Sequence, residues 1–320
     1  DALTSSVGNV AVGYLSLSAA TTADLNTAIG HRALTTNILS DRNVALGYAA
    51  LSTHNLSSNA DGYNVGIGYN AGGAITTGVQ NTLIGGLAGD ATDDGNYNVA
   101  IGHSALSANC ADSNTAVGTV ALQIATGANC TAVGMAAGIA NTSGANNLFL
   151  GHDAGRSGSP GGEITTGSNE IVLGDENISE AHIQVDWTVA SDARDKTDFT
   201  VLDLGLDFVK ALAPVTYKWD KRSKYGDKSA DDYDLAAQTP DGTHKEDWLD
   251  IGFKAQEVEA LEIAAGYDKD NKTNLISSHT GDGKQMGLQY SKFVPILVKA
   301  IQEQNALIEA LTTRITTLEG

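Results

Sequence analysis

The chain is poor in several residue types, and the shortages are unevenly placed. No lysine precedes Lys196, and the 320 residues include only 4 prolines, 2 cysteines, 2 methionines and 6% aromatics, against 36 glycines. A core without large side chains is typical of a repetitive β structure with little room in each turn. No apolar run approaches the roughly 18 residues of a membrane-spanning helix, so membrane insertion is not expected.

Positive charge is scarce as well. The net charge of −19 argues against nucleic acid as a partner, and residues 1–190 carry only three arginines against fifteen acidic residues.

Cys110 and Cys130 stand at different points of the repeat described below, which predicts two free buried thiols rather than a disulfide. No motif indicates a cofactor or a metal. The chain begins at Asp1 without a visible signal peptide, which indicates a fragment.

A short repeat fills the region up to about residue 178. Its unit is Asn-x-x-aliphatic-Gly, with Ala three residues after the glycine in most copies, and the unit recurs every 16–17 residues apart from two insertions. The repeat glycines are Gly13, Gly30, Gly47, Gly68, Gly85, Gly102, Gly118, Gly134, Gly151 and Gly174. The alternation before each glycine predicts a short strand with one buried face, and the alanine predicts close backbone packing.

Each unit is therefore predicted to form one coil of a parallel β-solenoid with two strands of about four residues. The asparagines should stack as a ladder, each side chain bonding to the next coil. Loops should protrude near Leu56–Gly62 and Arg156–Gly162. So thin a solenoid buries little apolar surface in each coil, which favours a symmetric homo-oligomer.

Rings follow the glycine in six repeats, at Tyr14, His31, Tyr48, Tyr69, His103 and His152. Such a column of rings could bind a glycan or a metal, or it could simply cover the glycine bend at the corner of each coil. The second interpretation is favoured because Gly86, Thr119 and Met135 interrupt the column.

Residues beyond about 178 predict an α+β region that ends in a long helix. We expect strands at 183–189, 215–219, 251–253 and 286–290, helices at 202–211, 255–261 and 291–319, and polar loops at 220–247 and 266–284. Apolar residues keep a 3/4 spacing along the last helix, with Gln304 as one polar layer, which predicts a coiled-coil seam. The seam residues are Val294, Leu297, Ile301, Gln304, Ile308, Leu311, Ile315 and Leu318.

Ser191 and Lys196 form the candidate catalytic pair between the two regions. A Ser–Lys pair can act as nucleophile and base if the lysine is held neutral by burial or by a neighbouring cation. Ser191 adjoins the carbonyl of Ala190, so attack on the Ala190–Ser191 bond needs no bimolecular encounter. A nearby Arg194 would lower the pKa of the lysine, whereas Asp192 or Asp195 would raise it, and the sequence leaves this balance open.

The repeats, such as Asn26-Thr27-Ala28-Ile29-Gly30, resemble the head repeats of trimeric bacterial adhesins and repeats of phage tail fibres. Residues 191–320 resemble the intramolecular chaperone and self-cleaving peptidase domain of endosialidases, tail spikes and tail fibres. The motifs that carry the second resemblance are Ser191-Asp192-Ala193-Arg194-Asp195-Lys196, Pro214-Val215-Thr216-Tyr217-Lys218-Trp219 and Gly252-Phe253-x-Ala255-Gln256-Glu257-Val258. The resemblance implies a homotrimer, a nucleophile at Ser191, a base at Lys196, and supporting roles for Asp192 and Arg194.

Three domains and one leading function follow from these patterns. Residues 1–178 form the solenoid, 179–190 a connecting strand and cleavage neck, and 191–320 the chaperone. We expect the distal part of a bacteriophage tail fibre or spike that attaches to a host receptor, with a glycan as the expected ligand. The chaperone would be released in the host cytoplasm, leaving the shaft on the virion tail. The alternatives are a trimeric bacterial adhesin and the C-terminal part of a polysaccharide-degrading spike whose catalytic domain lies upstream.

Overall fold

The computed structural model describes residues 5–228, 230, 232–271 and 273–320. Its internal contacts divide the chain into two compact units, Asp1–Ile178 and Ser179–Gly320, called here the solenoid unit and the C-terminal unit. In the described residues, no helix combines the length and apolar character that crossing a membrane would require.

The solenoid unit is built on one ten-stranded parallel sheet, so the predicted β-solenoid is confirmed. Each strand has three residues, and each pairs in register with its counterpart in the next coil, as Thr27–Ile29 does with Val44–Leu46. The strands are β1 Val10–Val12, β2 Thr27–Ile29, β4 Val44–Leu46, β6 Val65–Ile67, β7 Thr82–Ile84, β8 Val99–Ile101, β9 Thr115–Val117, β10 Thr131–Val133, β11 Leu148–Leu150 and β12 Ile171–Leu173.

The glycine after each strand is required by both conformation and space. Gly30, Gly47 and Gly85 have φ of 135°, 136° and 138°, a region open to glycine, and they occupy equivalent corners. A Cβ on Gly30 would overlap the carbonyl of Gly47 in the next coil. The alanine three residues later, as at Ala33 and Ala50, is fully buried. The small residues of the repeat therefore set how closely successive coils approach.

The asparagine ladder is also confirmed. The side-chain oxygen of Asn26 accepts the backbone N–H of Asn43 at 2.8 Å, and that of Asn64 accepts the N–H of Asn81 at 3.0 Å. The Asn81 amide nitrogen donates across its own coil to the Gly95 carbonyl at 2.9 Å. Each such asparagine satisfies backbone groups that a narrow core would otherwise leave unpaired.

The prediction of two strands per coil is wrong. The residue after the repeated alanine adopts a left-handed backbone, with φ of 49° at Leu34 and 50° at Leu106, which an extended strand cannot accommodate. That side of the coil is therefore a turn. Among the described residues of the solenoid unit, only β3 Ser40–Asp41 and β5 Ala60–Asp61 add a short second pairing.

The two insertions behave differently. Residues 57–60 are exposed, in agreement with a protruding loop. The second insertion does not project freely, because Ser159 is buried and its hydroxyl accepts the Gly155 N–H and donates to the Gly162 carbonyl.

Cys110 and Cys130 are both buried and free, which confirms the predicted thiols.

The C-terminal unit is a small α+β fold with a core of Leu204, Phe208, Val258, Ile276, Phe293 and Ile296. Its helices are α1 Leu206–Ala211, α2 Ala255–Ala264 and α3 Phe293–Glu319. Two antiparallel ladders join β13 Val215–Tyr217 to β14 Asp250–Gly252, and β15 Ser277–His279 to β16 Met286–Leu288. Three-residue 3-10 helices lie at Ala193–Asp195, Arg222–Lys224, Leu235–Ala237 and Tyr290–Lys292.

Several predicted elements of this unit need correction. Residues 183–189 form no strand, although Ile183, Val185, Trp187 and Val189 alternate, because the single chain offers them no strand to pair with. The first helix begins at Leu206 rather than at residue 202. β15 lies inside a predicted polar loop, and its sequence, Ser277-Ser278-His279, carries no apolar alternation.

Candidate cleavage site

The segment around Ser191 is an exposed chain with one tight turn. Residues 179–201 are all exposed, and Ala193–Asp195 form a single 3-10 turn. The Asp192 carboxylate caps this turn by accepting the Arg194 N–H at 2.9 Å, and the Lys196 N–H donates to the Ala193 carbonyl. The turn folds the chain back so that position 196 returns toward position 191.

Ser191 and Lys196 meet across this turn. The Lys196 Nζ lies 2.6 Å from the Ser191 Oγ and 3.3 Å from the Ser191 carbonyl oxygen. The first distance is within the range over which a base can take a hydroxyl proton. The structure thus places the two sequence-predicted residues within hydrogen-bond distance of each other.

Asp192 and Arg194 pair with each other. The Arg194 Nη2 and Nε lie 2.6 and 3.1 Å from the two Asp192 carboxylate oxygens. This contact lowers the pKa of Asp192 and raises that of Arg194. The charge of Arg194 is therefore balanced locally, so Arg194 does not act as an uncompensated cation beside Lys196. The pair holds the turn that carries the serine and the lysine.

Solvent surrounds the Ser–Lys pair in the single chain. A lysine works as a base only when something favours its neutral form, and burial is the usual means. No residue from 179 to 201 is buried, and Trp187 and Val189 next to the site are 73% and 79% exposed. Ser191 and Lys196 are thus in contact with each other, but no residue of the segment 179–201 shields them from solvent.

Two carboxylates that hold the backbone in place were not predicted from the sequence. The buried carboxylate of Glu262 accepts the backbone N–H groups of Leu275, Ile276 and Ser277 at 2.7, 2.6 and 2.9 Å. The Glu303 carboxylate on α3 accepts the Leu206 N–H at the start of α1, and this bond lowers the pKa of Glu303. Backbone N–H groups leave no residue-type signal, so only the fold reveals these contacts.

Comparison with known proteins finds a family match for part of the C-terminal unit. No curated protein and no solved structure matches the chain. Residues 191–267, less than half of the chain, match the model of a peptidase family described as the chaperone of endosialidase. The match begins at Ser191, the residue that contacts Lys196. The chain therefore contains a region similar to self-cleaving intramolecular chaperone domains, and this region follows a β-solenoid.

Proposed function

We propose that this chain is the distal part of a bacteriophage tail fibre or spike that attaches to a host surface, and that its C-terminal unit assembles it as a homotrimer. After the solenoid has folded, residues 191–320 remove themselves by cutting the Ala190–Ser191 bond. The observation that carries the proposal is the 2.6 Å contact between Lys196 Nζ and Ser191 Oγ, at the first residue of the family match.

The outer face of the solenoid sheet supports a homotrimer. In every strand of the sheet except β1, the middle residue is buried and the residues on either side of it point outward, as Val44 and Leu46 do beside Ala45. Consecutive coils repeat this pattern and leave a long aliphatic face that a second copy of the chain would cover. The outward residues that are exposed include Val10, Val12, Ile29, Val44, Leu46, Ile101, Val133, Leu150, Ile171 and Leu173.

The last helix gives a second, independent reason for association. α3 is 27 residues long, and the seven apolar side chains of its predicted seam are all exposed in the single chain. A helix of this length with an uncovered apolar stripe is stabilised by a partner helix. Three such helices would bring three solenoid regions together and raise their effective concentration.

The cleavage chemistry follows from the contact geometry. Lys196 in its neutral form takes the Ser191 hydroxyl proton as Oγ attacks the Ala190 carbonyl carbon. The carbon–nitrogen bond breaks, the nitrogen receives the proton, and an ester joins Ala190 to Ser191 Oγ. Water then hydrolyses the ester, which leaves a carboxylate at Ala190 and returns the Ser191 hydroxyl. Contact with another copy of the chain would supply the desolvation that the exposed segment lacks.

Removal of the chaperone has a physical purpose. A trimeric solenoid depends on strand contacts between chains, which form slowly and can misregister. A C-terminal clamp favours the correct assembly, and its removal leaves a product that cannot readily refold once unfolded. The shaft is then stabilised kinetically.

Two serine variants and two lysine variants test the proposal. Ser191→Ala removes the nucleophile and little packing, so we expect an uncleaved 33.0 kDa chain that still forms a trimer. Lys196→Arg keeps the charge but removes the base, and we expect the same outcome. Ser179→Ala and Lys210→Arg, both at exposed positions, should be cut as in the unmodified chain. Mass spectrometry that finds Ser191→Ala cut between residues 190 and 191 would refute the assignment.

A further inference from the structure

The corner residues that follow the repeat glycines form a continuous stack over four coils. Tyr14, His31, Tyr48 and Tyr69 lie with successive ring centroids 5.4, 5.2 and 5.3 Å apart. Successive ring planes differ by 25°, 2° and 10°. The sequence favoured the interpretation that these rings cover the glycine bend at the corner of each coil. The structure adds that four of them form an ordered column along an edge of the solenoid unit.

The column is interrupted at Gly86, and neither conformation nor space requires that glycine. Gly86 does not have a positive φ, unlike Gly85 before it. A Cβ added to Gly86 would meet only the Cδ2 of His103, at 3.6 Å, which is ordinary contact. The backbone could therefore carry a side chain here, and its absence leaves the ring of Tyr69 without a neighbour on one side. Tyr69 is accordingly 60% exposed, against 47% for Tyr48 inside the stack.

Coil spacing gives the gap the thickness of about one ring. His103 occupies the same corner one coil beyond Gly86, so two coil steps, about 10 Å, separate its level from that of Tyr69. A ring inserted midway would lie about 5 Å from each level, close to the ring spacing of the stack itself. We propose that the gap over Gly86, between Tyr69 and His103, binds one pyranose ring of a neutral glycan.

The chemistry of the gap favours a sugar over a purely apolar ligand. The face of Tyr69 carries the negative part of the ring quadrupole, which attracts the polarised C–H groups on one face of a pyranose. Within the described residues, the Tyr69 hydroxyl and the His103 imidazole make no hydrogen bond, so both are available to sugar hydroxyls. Residues 1–190 carry a net charge of −12, which disfavours a polyanionic glycan.

The inference rests on the proposed attachment function and names its ligand site. Binding is measured by calorimetry on the assembled protein, with maltohexaose, mannohexaose and a galactose hexamer as neutral probes and a sialic acid hexamer as the anionic probe. We expect at least one neutral probe to bind with Kd at or below about 1 mM. Gly86→Tyr, which fills the gap, and Tyr69→Ala, which removes the platform, should each weaken binding about tenfold or more.

Thr119→Tyr is the matched control, because it adds the same ring at the equivalent corner two coils beyond Gly86. It should bind like the unmodified protein. Failure of every neutral probe to bind, stronger binding of the anionic probe, or unchanged binding by Gly86→Tyr would overturn the site. So would loss of the trimer in Gly86→Tyr, because the corner would then lie between copies. These outcomes leave the chaperone proposal standing, since cleavage at Ala190–Ser191 is read separately.

Discussion

Large and small side chains compensate for one another inside the solenoid core. Most strands of the sheet place Ala or Gly at their centre, but β7 has Leu83, β11 has Phe149 and β12 has Val172. Leu83 fills the space beside Gly72 and Gly89, where a Cβ would lie 2.7 and 2.8 Å from its methyl groups. Beside several small strand centres, as at Ala28, the turn carries a leucine such as Leu34 instead. Large side chains thus fill the space that neighbouring small residues leave.

The compensation between Leu83 and Gly89 predicts that a second substitution restores stability lost through the first. Leu83→Ala should destabilise the solenoid by about 2–4 kcal/mol through the cavity it leaves. Gly89→Leu alone should overpack the same space and also destabilise it. The double variant restores the alanine–leucine pairing of other coils, so its unfolding temperature should exceed that of either single variant. Thermal unfolding of the three variants measures this, and additive losses would contradict the compensation.

His54 is a fully buried titratable residue in the same core. Its Nε2 lies 2.8 Å from the Ser40 Oγ, and burial lowers its pKa to about 4. The unfolded chain, with an ordinary pKa near 6.5, therefore takes up a proton first as the pH falls. The stability that neutral His54 contributes is complete above pH 6.5 and is lost between about pH 6.5 and 4.

The expected loss is on the order of 3 kcal/mol for each chain. His54→Asn should flatten the dependence of unfolding temperature on pH in this window, because asparagine does not titrate. Asn37 already occupies the equivalent place one coil earlier, seven residues after its glycine. The exposed His182→Asn serves as control and should retain the full pH dependence. Equal slopes for the two variants would show that His54 does not set the acid sensitivity.

Elements of the solenoid were more predictable than those of the C-terminal unit. The repeat glycines fixed the coil register because backbone crowding, as at Gly30, admits no other residue. The prediction of a second strand in each coil was wrong because a leucine at positive φ, such as Leu34, cannot be distinguished from a strand residue by sequence. β15 was missed because its partner, β16, and the carboxylate of Glu262 hold it in place. The pairing of Ser191 with Lys196 was predicted from the resemblance to the chaperone domain, whereas the turn at Ala193–Asp195 that brings them together was not predicted.

Glu262 should therefore be the most sensitive carboxylate of α2. Glu262→Ala leaves the backbone N–H groups of partly buried Leu275 and of buried Ile276 and Ser277 without their acceptor, and we expect a loss of about 3 kcal/mol or more. Glu257→Ala on the same helix removes an exposed ion pair with Lys254 and should cost about 1 kcal/mol or less. Chemical unfolding of residues 179–320 compares the two. Similar losses would mean that Glu262 does not hold the segment from Leu275 to Ser277.

In the proposed assembly, the whole molecule depends on association through α3. Ile308→Asp places a charge in the apolar seam and should prevent trimer formation. Cleavage should fall with it, because the exposed Ser–Lys pair would not be desolvated. Thr312→Asp changes a position outside the seam and should leave both intact. Gel analysis measures the oligomeric state of the two variants, and mass spectrometry measures their cleavage. Full cleavage of a monomeric Ile308→Asp chain would show that cleavage does not require the trimer.

The most direct measurement compares two preparations of residues 1–190 that share one covalent structure. One is released from the full chain by its own cleavage, and the other is expressed without residues 191–320. The yield of heat- and SDS-resistant trimer is measured for each. The first should be resistant trimer. The second should largely fail to reach that state, because each coil alone buries too little apolar area to offset backbone entropy. Equal yields of resistant trimer would show that the C-terminal unit is not a chaperone for this solenoid.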